Sequence, residues 1–169
     1  MRNFLYRLAD YFALGGGLII MAIVFVTTAN VTAFALNRIA SLFGSQVAGL
    51  SGYEDFVRLA MSAAALMFFP LAQVKHGHVA VDIFMNKAPA WLQRFTEQCW
   101  SVLVMIMSVF LMYWMIIGLF EKKADHVVVG VLNWVEWPFY IPGILSLLLW
   151  ALIALAQVFE HKPAEVSHV

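Results

Sequence analysis

Long apolar stretches alternate with short polar connections along the whole chain. Four stretches reach the roughly 20 residues that an α-helix needs to cross a bilayer, at about 14–36, 53–74, 95–120 and 137–159. Because the connections between them are short, neighbouring helices are expected to run antiparallel. The pattern predicts an all-α integral membrane protein, in which residues 1–169 form a single domain with four transmembrane helices in one antiparallel bundle.

The segment before the first span, residues 2–13, has a different pattern. Its apolar side chains fall near one helical face, and its charged residues, Arg2, Arg7 and Asp10, lie largely elsewhere. The apolar set is Phe4, Leu5, Leu8, Tyr11 and Phe12. This arrangement predicts a short amphipathic helix in the headgroup plane. A helical extension of the first span is the alternative.

Composition supports the membrane assignment, since 63% of the residues are hydrophobic and only 12% are charged. A soluble domain is about half apolar and a quarter charged, so lipids are expected to cover part of this surface. Ten basic and ten acidic residues cancel, so no net field favours nucleic acid as a partner. The only cysteine, Cys99, cannot form an internal disulfide or a paired-thiol redox site.

The distribution of lysine and arginine predicts the orientation of the bundle. Six such residues fall on the side of the termini and three on the other, leaving out Arg58 at the start of the second span. The six are Arg2, Arg7, Lys75, Lys87, Arg94 and Lys162, and the three are Arg38, Lys122 and Lys123. Both termini are therefore expected in the cytoplasm.

The interiors of the first, third and fourth spans contain no Asp, Glu, Lys, Arg or His. Ion and proton pathways normally need such groups, or unwound backbone, near the middle of the membrane. The sequence also shows no nucleophile–base pair of the kind that an enzyme would need. The pattern predicts a non-catalytic accessory subunit. A haem- or quinone-binding membrane anchor of a respiratory complex is the alternative.

Charge is concentrated where the second span begins, at Glu54, Asp55 and Arg58. Glu54 and Arg58 are four residues apart with the acid first, which favours an ion pair along one helix. The cluster either satisfies itself locally or reaches a partner protein. Further along, Ala60 and Ala64 have the small-xxx-small spacing that allows close helix approach.

The connection after the second span reads KHGHVAVDIF and contains His76, His78 and Asp82. Two imidazoles and one carboxylate without an obvious fourth ligand make a poor metal site, so no metal is predicted and these residues are expected to anchor the loop against a neighbouring helix. No cofactor is predicted, because all histidines lie in loops or the tail rather than facing each other within the membrane.

The loop before the fourth span, HVVVGVLNWVEWPFYIPG, is unusually apolar for a solvated connection. It can dip into the membrane interface, where tryptophan is favoured, or form a docking surface. Pro138 suits the first turn of the fourth helix, whereas Pro142 is expected to bend it.

Taken together, these motifs resemble the small membrane subunit of tripartite ATP-independent periplasmic (TRAP) transporters, the DctQ-like family. The resemblance covers about residues 14–159 and rests on the order of four helices and three motifs. The motifs are YEDFVRLAM at the second span, GHVAVDIF followed by Ala88-Pro89, and the Pro138/Pro142-Gly143 entrance. Where many members have a tryptophan before the acidic residue of the second span, this chain has Gly52-Tyr53.

The resemblance implies a bacterial inner-membrane protein that pairs with a large, sodium-coupled permease subunit. It further implies a periplasmic binding protein that delivers organic acids of the C4-dicarboxylate or sialic acid type. The small subunit would brace the static scaffold and help dock the binding protein. Glu54, Arg58, His78 and Asp82 are then candidate structural or partner contacts, and Arg38, Lys122, Lys123 and Asp125 are candidate docking residues.

Overall fold

The computed structural model describes residues 2–44, 49, 51–75, 89–130 and 133–159. Its helices are α1 (Arg2–Ala40), α2 (Tyr53–Val74), α3 (Ala90–Ala124) and α4 (Tyr140–Val158). Short 3-10 helices follow α1 (Ser41–Phe43) and precede α4 (Trp137–Phe139), and strands β1 (Val128–Val129) and β2 (Trp134–Val135) lie between α3 and α4. All four α-helices are long and apolar enough to cross a membrane, which confirms the predicted fold class.

The N-terminal segment is part of α1 rather than a separate helix in the headgroup plane. α1 is continuous over 39 residues, and Ala9 is buried against Leu149 and Ile153 of α4. Leu5, Leu8 and Phe12 pack around the same cluster. Because part of the predicted apolar face finds protein to pack against, and no proline interrupts the segment, extension of the first span replaces the expected in-plane helix.

The helices are arranged around a central pair, α2 and α4. α1 packs along α2, α3 packs along α4, and α1 reaches α4 to a smaller extent. Each outer helix therefore has one main neighbour and leaves most of its circumference exposed. This explains why many large apolar side chains of α1 and α3 remain accessible, among them Leu18, Phe25, Ile106 and Phe110.

α1 and α2 approach closely because small residues line both sides of their contact. A Cβ atom added to Gly16 would lie 3.2 Å from the carbonyl oxygen of Ala64. Ala60 and Ala64 are both buried, as the small-xxx-small spacing predicted. Within α1, the hydroxyl of Thr32 donates to the carbonyl of Thr28 at 2.8 Å, so this polar group is satisfied inside its own helix.

α2 contains Pro70, whose missing N–H leaves the carbonyl of Leu66, four residues earlier, without its normal helical donor. Ser146 of α4 replaces that donor, because its buried hydroxyl lies 2.6 Å from the Leu66 carbonyl oxygen. In a hydrocarbon environment a freed backbone group must be satisfied by protein. This hydrogen bond therefore couples the missing backbone hydrogen bond of α2 to the position of α4.

A second polar contact joins α2 and α4 nearer their other ends. The side-chain amide of Gln73 donates to the side-chain oxygen of Gln157 at 2.7 Å. The side-chain amide of Gln157 donates to the backbone carbonyl of Gln73 at 3.2 Å. The indole of Trp150 donates to the side-chain oxygen of Gln73 at 3.4 Å. The central pair is therefore held by hydrogen bonds at two levels.

Replacing Ser146 with alanine is expected to lower the free energy of unfolding by about 1 kcal/mol, because the Leu66 carbonyl loses its donor. Pro70→Ala in the same chain restores an N–H within α2 and should recover part of that loss. The measurement is unfolding of the detergent-solubilised protein in a denaturing-detergent titration.

The matched control is Ser108→Ala, which removes another buried hydroxyl whose acceptor, the Met105 carbonyl, lies in its own helix α3. A smaller loss is expected there, since the helix keeps its own N–H donors. Equal losses for the two serines, or no recovery with Pro70→Ala, would contradict the proposed coupling.

Candidate partner site at the hairpin end

The charged cluster of α2 lies at the end of the molecule that carries the β1–β2 hairpin, here called the hairpin end. The Arg58 guanidinium is 3.9 Å from the carboxylate of Asp55, and the two side chains are 69% and 22% exposed. The predicted ion pair between Arg58 and Glu54 is wrong. Asp55 is the acid that lies near Arg58, and the Glu54 side chain is exposed. At this distance and exposure the pair stabilises the fold little.

The apolar loop before α4 folds into an antiparallel hairpin that sequence reasoning missed. Val128 pairs with Val135, and Val129 pairs with Trp134. Gly130 and Asn133 have positive φ angles of 76° and 51°, a conformation that glycine and asparagine adopt more readily than other residues. The spacing of Gly130 and Asn133 between two apolar runs was the signal for this turn.

The hairpin rests directly on the first turn of α2. The Asp55 carboxylate occupies the space where a side chain at position 130 would be, so a larger residue there would require Asp55 or the hairpin to shift. One residue further along α2, the Phe56 ring is 5.8 Å from that of Trp134, which is 6.1 Å from Phe139. The hairpin and the α2 entrance are therefore one packed unit.

The end of α3 is tied to the same unit. Lys122 forms an ion pair of 3.1 Å with Glu136, which follows β2, and the Lys123 ammonium lies 5.3 Å from the centre of the Trp137 ring. Of the four predicted docking residues, these two lysines thus contact the hairpin end itself. Arg38 and Asp125 lie at the same end with exposed side chains.

An apolar cavity of about 300 Å³ lies beneath this unit, between α1, α2 and the start of α4. Ala22, Ala60 and Ala63 contribute short side chains to its lining, and Pro138 and Pro142 line it from the α4 side. The described lining residues carry no group for acid–base or nucleophilic chemistry. The cavity can accept an apolar chain or side chain.

His78 and Asp82 lie outside the described residues, as does His76, so their predicted anchoring role stays a prediction. In the part of the chain that is described, no three His, Cys, Asp or Glu side chains come close enough to hold a metal ion. His126, which is described, is exposed in the turn after α3.

Comparison with known proteins yields one family. The model for "Tripartite ATP-independent periplasmic transporters, DctQ component" matches residues 39–162, which include α2, α3, α4 and the hairpin. No curated protein and no solved structure matches the chain. The match begins at the end of α1, so most of that helix precedes it.

Replacing Gly130 with alanine is expected to displace the hairpin from α2, because the new methyl group would overlap the Asp55 carboxylate. Hydrogen–deuterium exchange across residues 127–136 should become faster. Gly44→Ala is the matched control, since Gly44 has a similar φ of 73° but open space around the position of its Cβ.

Adding Asp55→Ala to Gly130→Ala removes the overlapping carboxylate and should slow the exchange again. Equal exchange in the Gly130 and Gly44 variants would show that the contact with Asp55 does not position the hairpin.

Proposed function

The chain belongs to the DctQ family, the DctQ component of tripartite ATP-independent periplasmic transporters, and we propose that it braces the scaffold of the transporter without moving solute itself. Its main partner is a large, sodium-coupled permease subunit, whose transport domain moves against the scaffold. The transported solutes are organic acids of the C4-dicarboxylate or sialic acid type, delivered by a periplasmic binding protein.

One observation carries this proposal: the apolar interiors of α1, α3 and α4 contain no Asp, Glu, Lys, Arg or His. Ion and proton pathways normally need charged groups or unwound helix near the middle of the membrane. In α2 the backbone group freed by Pro70 is already bonded by Ser146. A chain built this way supports a neighbouring subunit better than it conducts solute.

A static role also agrees with how the central pair is held. Hydrogen bonds between α2 and α4 at Leu66 and Gln73 resist sliding of one helix along the other, because sliding would leave polar groups without partners in lipid. An element that must stay fixed while another domain moves needs this property.

The hairpin end is proposed to face the periplasm of a bacterial inner membrane, with both termini in the cytoplasm. The excess of lysine and arginine on the side of the termini supports this orientation. The binding protein then docks on the hairpin end, where Arg38 and Asp125 present exposed charges. Lys122 and Lys123 hold the shape of that surface through Glu136 and Trp137.

Co-expression with its large subunit should yield a complex that survives purification in mild detergent, because the two are proposed to form one scaffold. Affinity purification of this chain followed by intact-mass analysis measures it. The same sample should show no Soret band in a reduced-minus-oxidised spectrum. A lone, stable monomer, or a haem spectrum, would contradict the proposal.

Charge reversal at Arg38 or Asp125 should change the association rate of the binding protein, and the change should shrink as salt rises, because exposed charges steer association and salt screens them. Stopped-flow or surface-based kinetics on the assembled transporter measure these rates. Lys122→Met is the comparison variant, expected to loosen the hairpin and to show a weaker dependence on salt. Rates unaffected by Arg38 and Asp125 would remove the docking role of these charges.

A further inference from the structure

One face of α2 carries few large apolar side chains along the whole length of the helix, whereas the similar exposed set on α1 (Thr28, Thr32 and Ala35) covers about two turns. Its exposed residues follow a helical spacing of three and four from the hairpin end to the opposite end. We call this face the α2 stripe, which consists of Glu54, Arg58, Ser62, Ala65, Phe69 and Ala72, with exposed Met61 beside Ser62. It spans 18 helical steps, or about 27 Å at 1.5 Å per residue.

The composition of the stripe is unlike that of a surface covered by lipid chains. α4 exposes a row of large aliphatic side chains, Ile141, Leu145, Leu148, Leu152 and Leu155. The exposed surfaces of α1 and α3 are likewise rich in large apolar residues. On α2 only Met61 and Phe69 are both large and exposed within the described residues.

The charged end of the stripe needs a polar neighbour. Phe56 lines the cavity together with Pro138, which precedes α4. Arg58 follows Phe56 by two residues, so the Arg58 charge is near the level where the apolar spans begin. The guanidinium is 69% exposed, with Asp55 at 3.9 Å. Acyl chains cannot solvate this group, whereas a carboxylate or carbonyl of a partner helix can.

A phospholipid headgroup could also contact Arg58, but it would account only for that end of the stripe. Ser62, Ala65 and Ala72 continue along the helix to the far end, and small residues at this spacing allow another helix backbone to approach closely. A transmembrane helix of a partner protein would account for both ends of the stripe. Small residues of that helix would pack along Ser62, Ala65 and Ala72, and a polar acceptor of that helix would lie beside Arg58.

We propose that the α2 stripe is the face on which the large permease subunit packs, through a transmembrane helix with small side chains and an acidic or amide acceptor at the level of Arg58. This assignment rests on the proposed function and identifies the contact surface for that partner. Lipid then mainly covers the row of exposed aliphatic side chains of α4 and the exposed surfaces of α1 and α3.

Cysteine cross-linking in the assembled transporter tests the assignment, because the chain has only one native cysteine, exposed Cys99. In a Cys99→Ser background, single cysteines replace Ser62, Ala65 or Ala72 on the stripe. Matched controls replace Leu18, Leu103 or Leu148, which are exposed on the other three helices. Each variant is labelled with a photoactivatable thiol reagent, illuminated in lipid nanodiscs, and analysed by mass spectrometry.

Adducts with the large subunit are expected from the three stripe positions and should be weak or undetected from the controls. Adducts from the control positions alone would overturn the assignment while leaving the proposed function in place. Labelling of the stripe by lipid alone, in a complex that still contains the large subunit, would overturn it in favour of a lipid-covered face. If the unaltered chain fails to co-purify with the large subunit, the proposed function fails instead.

A second measurement introduces large side chains at two of the stripe positions and follows recovery of the large subunit. Ala65→Trp and Ala72→Trp should reduce recovery of the large subunit, because they hold the helices apart, while Leu148→Trp should not. Unfolding titrations of each variant alone separate this effect from misfolding. Full recovery with tryptophan at both stripe positions would contradict the proposal.

Discussion

Inside a lipid bilayer, each backbone carbonyl that loses its helical donor must find another within the protein, since no water is there to supply one. Pro70 creates this requirement at Leu66, and Ser146 meets it from the neighbouring helix. The contact fixes α2 and α4 in register, and the Gln73–Gln157 pair repeats the constraint farther along. α1 and α3 are then added to the outside of this pair, one against each member.

The apolar pattern predicted the existence and type of the four long helices because bilayer thickness and helix rise set the length of a span. Pattern alone could not distinguish the two possibilities for residues 2–13. That choice depended on whether Ala9 would find Leu149 and Ile153, a contact between residues far apart in the chain. The α2–α4 hydrogen bonds were unpredictable for the same reason, although Ala60 and Ala64 correctly indicated a close approach of helices.

At the candidate site, sequence reasoning predicted the wrong partner for Arg58. Spacing favoured Glu54, while both acids lie within reach of one arginine and only side-chain placement selects Asp55. The loop before α4 was expected either to dip into the interface or to be a docking surface, and its fold as a hairpin was missed. Its contact with α2 depends on the absence of a side chain at Gly130, which becomes apparent only once Asp55 is placed beside it.

These features describe a membrane protein with a hydrogen-bonded central helix pair, a packed hairpin end and exposed helix faces of unequal character. The hairpin end combines strands, helix termini and aromatic rings in one packed unit. Such an arrangement suits a chain that presents surfaces to other proteins and keeps their spacing constant. Membership of the DctQ family supplies the context in which such surfaces are needed.

The most direct test of this account is solute uptake by the purified chain in liposomes. Labelled organic acids, an inward sodium gradient and the loaded binding protein would be supplied, with and without the large subunit. The account predicts uptake only when the large subunit is present, because the apolar interiors of α1, α3 and α4 offer a crossing solute no carboxylate, ammonium, guanidinium or imidazole group. Sodium-dependent uptake by this chain alone would contradict it.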